Sequence, residues 1–166
     1  MASLVSNLID VLKGQAELYN QVAALSARKK EFIIKNDIEN LRETVSEENA
    51  IIPKIIRTDK EREKIMKDIC SVLNKNEAEL TISHLATLME NQPENDRLIV
   101  ALEEAKTAAG EMKKLNEENK ALVQQALEYI DYNINVIHSS LSEVPAGYNA
   151  TLEDAADGTS FLDING

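Results

Sequence analysis

From Glu94 to Leu141 the chain contains no proline and one glycine, Gly110. That stretch predicts one uninterrupted helix, with Gly110 as its only weak point. Taken as Asn95 to Leu141 it is 47 residues, or about 70 Å at a rise of about 1.5 Å per residue. A helix this long buries its apolar face only against other long helices, at shallow crossing angles. The rest of the 166-residue chain agrees. Five Gly and three Pro leave few turns, and aromatics are scarce at two Phe, four Tyr and no Trp. Leu, Ile, Ala, Glu, Lys and Asn dominate, so composition points to an all-α protein.

The earlier segments divide in the same way. The first helix is predicted from Ala2 or Ser3 to about Ile34, with Val5, Leu8, Leu12, Tyr19 and Val22 at helical spacing. A break or kink is expected at Lys35–Asp37, because Asn36 and Asp37 carry short side-chain oxygens suited to an N-cap. The second helix places Ile38, Leu41, Val45, Ile52, Ile55, Met66, Ile69 and Leu73 on one heptad frame that also holds Glu48, Asp59 and Arg62. So polar a middle implies partial solvation there, or a partner. Pro53 is expected to kink this helix near Asn49–Ile52, and the helix to end near Asn74. A short helix follows, capped by Thr81, with Ile82, Leu85, Leu88 and Met89 facing inward; Pro93 can open the last helix. The fold expected is an elongated antiparallel helical bundle or coiled coil with a short cap helix. Its helical domain spans 1–142, followed by a flexible acidic tail over 143–166.

The stretch LNEENKALVQQALEYIDYNINVI, Leu115 to Ile137, has too much apolar surface for an ordinary surface helix. Val123, Leu127, Ile130, Ile134, Ile137 and Leu141 share one side. Leu115, Leu122, Ala126, Tyr129 and Val136 form an adjoining strip, with Asn119 and Asn133 inside the apolar arc. Together they cover roughly half the circumference, against an arc of a little over about 100° for a surface helix. Either both strips are buried between neighbouring helices, or one packs within the bundle and the other receives an amphipathic helix from another protein. Polar residues in the arc, with Gln124, Gln125 and Tyr132 at its rim, favour the second arrangement.

Charge and chemistry narrow the function. With 18 basic and 29 acidic residues, the formal net charge is −11, which argues against nucleic acid and against an anionic membrane surface. No segment reaches the ~18 consecutive apolar residues of a membrane span. The N-terminus reads as amphipathic helix and not as a signal peptide. The single cysteine, Cys70, permits no internal disulfide, so the expected location is the cytosol. Cys70 reads as a half-buried structural thiol. His84 and His138 lie in no metal motif and read as exposed or half-exposed helix residues, because Thr81 and Asn135, not Glu, stand three residues before them. No phosphate loop is present. The chain reads as a binding protein, with no catalytic residues, no cofactor and no metal.

Several ordered segments resemble a known family. They are ALSARKKEFIIKND at the end of the first helix, Asp37 to Leu41 (DIENL) at the turn, Leu80 to Leu85 (LTISHL) in the cap helix, and above all LNEENKALVQQALEYIDYNINVI. In order and spacing, over about Leu4 to Ser139, the chain is similar to the flagellar export chaperones of the FlgN type. Pro53 and a longer acidic tail depart from that pattern. The resemblance implies a cytosolic, substrate-specific chaperone of flagellar type III export. Its clients would be the hook-filament junction proteins, whose C-terminal amphipathic helix it would shield from premature assembly and deliver to the export gate. Leu115, Asn119, Leu122, Ala126, Tyr129, Asn133 and Val136 are then the candidate client groove. Tyr148, Phe161 and Leu162 in the tail are the candidates for docking at the gate. The free protein would be a monomer or a homodimer. A homodimeric structural adaptor, or a chaperone of a related secretion system, would fit the same residues.

Overall fold

The computed structural model of the chain describes residues 2–142, without the side chain of Ser142. Four helices, and no strand, occur among the described residues: α1 (Ala2–Lys35), α2 (Ile38–Leu73), α3 (Ile82–Leu88) and α4 (Asn95–Ser142). The tail candidates Tyr148, Phe161 and Leu162, and the expected boundary at 142/143, fall outside or at the limit of this range. The chain divides into two units, Met1–Gln124 and Gln125–Gly166.

The turn between α1 and α2 forms where the short polar side chains lie. Asn36 takes a left-handed backbone with φ 54°, which asparagine tolerates better than most residues. Asp37 then caps α2, accepting the backbone N–H of Asn40 at 3.2 Å and its Nδ2 at 2.7 Å. These bonds hold the Asp37 carboxyl below the usual carboxylate range. Asn74 ends α2 with φ 53°. Thr81 caps α3 by accepting from the His84 N–H at 3.1 Å.

In the first unit α1 and α2 run antiparallel: Gln15 Nε2 donates to Asp59 Oδ1 at 2.7 Å, and farther along α1 the Ser26 hydroxyl donates to Glu48 Oε1 at 2.9 Å. The α4 segment of this unit runs parallel to α1. Ala16 and Asn20 share a groove with Ile99 and Thr107, and Lys30 meets Glu118. The main core joins Val5, Leu8, Ile9 and Leu12 of α1, Ile65, Ile69 and Cys70 of α2, and Leu85 of α3 to Leu98, Ala101, Ala105 and Ala108 of α4. Side chains such as Leu8, Ile9 and Leu85 are fully enclosed, each contributing about 1.5–3 kcal/mol by leaving water. Small alanines on α4 let the neighbouring helices come close.

Several expectations need correction. On α2 the buried face is Thr44, Glu48, Ile51, Ile65, Ile69 and Cys70, so Ile38, Val45 and Ile52 of the expected heptad frame are exposed. The polar middle is partly solvated at Asp59 and Arg62, as expected, with Asp59 accepting from Gln15 and Arg62, whereas Glu48 is buried and accepts from Ser26 and Lys29. On α3, Leu88 is exposed and Ala86 is buried instead, because positions 82, 85, 86 and 89 form the i, i+3, i+4, i+7 stripe. Pro93 lies in the turn before α4, which starts at Asn95. Cys70 is buried in the core rather than half-buried.

Gly14 and Gly110 lie inside helices, and a Cβ at either meets nothing within 4 Å. Gly14→Ala and Gly110→Ala should therefore each stabilise the fold by about 0.5–1 kcal/mol. Thermal melts should show a rise of roughly 1–4 °C per substitution.

Candidate functional site

The first unit contains a polar layer spanning three helices. Glu48 of α2 is buried. It accepts the Ser26 hydroxyl at 2.9 Å on one oxygen and Lys29 Nζ at 2.6 Å on the other. The Ser26 carbonyl in turn accepts Asn119 Nδ2 of α4 at 2.7 Å. Thr44, fully buried, donates its hydroxyl to the Asn40 carbonyl at 2.8 Å. At the rim, Lys30 Nζ pairs with Glu118 at 2.8 Å and holds that carboxyl below its usual value of 4.5. A lowered carboxylate contributes stability that is present above the unfolded value and fades as pH falls through the folded one. Glu118→Gln should flatten that acid-side decline in a pH series of thermal melts.

The layer decides where Asn119 sits. At 2% exposed and hydrogen-bonded to α1, it is a bundle residue in this structure. Leu115 and Leu122, also in the first unit, are half-buried. In the second unit the situation changes. Ala126 and Val136 are exposed, Asn133 is half-buried, and Tyr129 is 68% exposed. The adjoining strip fares no better, with Leu127, Ile130, Ile134, Ile137 and Leu141 all exposed.

Sequence reasoning expected the Val123–Leu141 strip to pack in the bundle or be buried beside the other. Helical geometry explains the difference. Leu98, Ala101, Ala105, Ala108 and Asn119 lie within about 60° of Ile130 on a helix of about 3.6 residues per turn, so the exposed strip continues α4's buried face. Glu118 is level with Lys30, and α1 ends only five residues later, at Lys35. The second unit presents a helical segment whose apolar side chains are exposed.

No group of three or more His, Cys, Asp and Glu residues able to hold a metal ion occurs among the described residues. No described helix is long and apolar enough to cross a membrane. His84 is exposed, with Nδ1 3.2 Å from the Glu79 carbonyl, and His138 is exposed on α4.

The family model described as FlgN protein matches residues 1–153. The chain belongs to the FlgN family. Members of the FlgN family are flagellar export chaperones for hook-associated proteins, and they are not enzymes. No curated protein and no solved structure matches the chain. Within this FlgN protein the sequence pattern located the apolar helix but not the exposure of both its strips. On α2, Ile38, Val45 and Ile52, which the heptad frame reads as inward, are exposed as well.

Proposed function

We propose that this FlgN-family chain acts in the cytosol and takes the C-terminal amphipathic helix of hook-filament junction proteins on the apolar half of the Gln125–Ser142 helix. The exposed apolar ladder of Leu127, Tyr129, Ile130, Ile134, Val136 and Ile137 carries this reading. Such a ladder is costly to leave in water, and an amphipathic helix is the element whose period matches it. The client has the complementary problem: a helix made for packing in a polymer is an aggregation hazard before assembly. Ala126, Tyr129, Asn133 and Val136 form one contact strip, and Leu127, Ile130, Ile134 and Ile137 the other. Leu115 and Leu122, half-buried in the first unit, would be fringe contacts, while Asn119 would act through the bundle.

A calorimetric titration with the C-terminal helical peptide of a junction protein tests the proposal. One-to-one saturation with a negative heat-capacity change is expected, as apolar burial requires. Absence of binding at high peptide concentration would sink it. Delivery to the export gate, with Tyr148, Phe161 and Leu162 as the docking residues, is a separate proposal drawn from sequence. Deleting residues 146–166 should then block client export and leave peptide binding intact; normal export would exclude the tail.

A further inference from the structure

Helix α4 is held unevenly within the first unit. Its inward positions Leu98, Ala101, Ala105 and Ala108 are enclosed in the main core. Past Gly110 the same face continues at Met112, Leu115, Asn119 and Leu122, three or four residues apart as the helical period requires. Of these only Asn119 is enclosed, and the three apolar side chains are half-buried. An amide closes the bundle where apolar packing would be expected. Asn119 Nδ2 donates to the Ser26 carbonyl at 2.7 Å, but its equally enclosed Oδ1 has no hydrogen-bond partner among the described residues. A buried acceptor without a donor has lost its bond to water and gained nothing in return. Lys30 and Glu118 add an ion pair whose side chains are 41% and 36% exposed, and pairs so open to solvent hold helices together weakly. Beside Asn119, Ile33, Leu41 and Val123 line an open groove. Gly110 stands where the enclosed packing ends.

We propose that α4 from Gly110 to Gln124 is a strap that opens from the α1–α2 hairpin while the Leu98–Ala108 end stays packed, with Asn119 as its catch. Local opening is drawn from the least packed part of a fold, and this segment separates three half-buried apolar side chains and one exposed ion pair when it leaves. The two ends of the Asn119 amide pull in opposite directions. Nδ2 holds the strap to Ser26, whereas Oδ1 gains a donor from water as soon as the strap lifts. The bend falls at Gly110, the weakest helix former in α4. Opening frees Leu115 and Leu122 for an incoming amphipathic helix. This step rests on the client binding proposed above: the client takes Leu115 and Leu122 from the open strap only. A ligand that binds the open form alone draws the population toward it.

Distances between paired spin labels on the full-length chain test the strap. The pair Ala27→Cys/Glu117→Cys spans α1 and the strap, and the pair Glu17→Cys/Glu104→Cys spans the packed end. All four positions are exposed, and Cys70→Ala removes the native thiol from both proteins. Saturating C-terminal peptide of a junction protein should lengthen the first distance by about 10 Å, the diameter of a helix, and leave the second unchanged. Asn119→Asp should lengthen the first distance without peptide, because a carboxylate in place of the amide sets acceptor against acceptor at the Ser26 carbonyl. Circular dichroism of that variant should show unchanged helix content. Bound peptide with an unchanged first distance would overturn the inference and leave client binding standing. Absence of peptide binding would sink the client, and Asn119→Asp would then decide the strap by itself. An unchanged first distance in that variant, or lengthening of both distances together, would refute it.

Discussion

Tyr129→Asp combined with Val136→Asp should lower client affinity by at least about 100-fold. Each side chain contributes about 1.5–3 kcal/mol when its apolar surface leaves water, and each new carboxylate would have to be desolvated to reach the same contact. A combined loss of about 3 kcal/mol or more exceeds two factors of ten in the dissociation constant. The double variant should keep its far-UV circular dichroism and its melting temperature, because neither residue packs in a core. Leu122→Asp should behave differently. Leu122 is half-buried in the first unit, so its replacement should cost stability as well as affinity. Ile130→Asp/Ile134→Asp probes the adjoining strip. If titration gives wild-type affinity for both double variants, neither strip holds the client.

Glu48→Ala should destabilise the fold by about 3 kcal/mol. The substitution removes the acceptor for both Ser26 and Lys29 and leaves the Lys29 ammonium mostly enclosed, with 14% of its side chain exposed. Truncating one partner of an enclosed ion pair typically costs about 3–5 kcal/mol, and partial exposure of this pair places it at the lower end. The double variant Lys29→Met/Glu48→Met should recover most of that loss, since apolar groups of similar size remove the stranded charge. Denaturant melts of both variants decide the matter. If the double variant is as unstable as Glu48→Ala, the layer works through shape and not through charge.

Much of the fold was legible because local signals and tertiary needs coincided. The Asn36–Asp37 turn, the Thr81 cap and the long unbroken α4 each follow from side-chain chemistry within a few residues. Burial on α2 was legible only in part: Ile69 is enclosed and Leu41, Ile55, Met66 and Leu73 are half-buried, as the heptad frame implied. Ile38, Val45 and Ile52 repeat every seven residues as core positions do, yet Thr44, Glu48 and Ile51 face inward. The partners that make this possible, Ser26 and Lys29, are about twenty residues away in sequence, and no periodicity reports them. The apolar helix was legible in kind, as surplus apolar arc, but the exposure of both its strips was not. The placement of Asn119 was hidden because its bond to the Ser26 carbonyl spans 93 residues.

That long-range bond also bears on how the protein is made. Helices α1 and α2 are complete by Leu73 and can zip together through neighbouring segments as the chain leaves the ribosome. Their seam stays open until α4 arrives, because the contacts that close it, Lys30 with Glu118 and Ser26 with Asn119, span 88 and 93 residues. Contacts so distant in sequence form late and slow the final step of folding. The nascent hairpin therefore spends the synthesis of some forty further residues with Leu8, Ile9 and Ile69 uncovered on one side. An export chaperone thus passes through an exposed state of its own, and α4 is the segment that ends it.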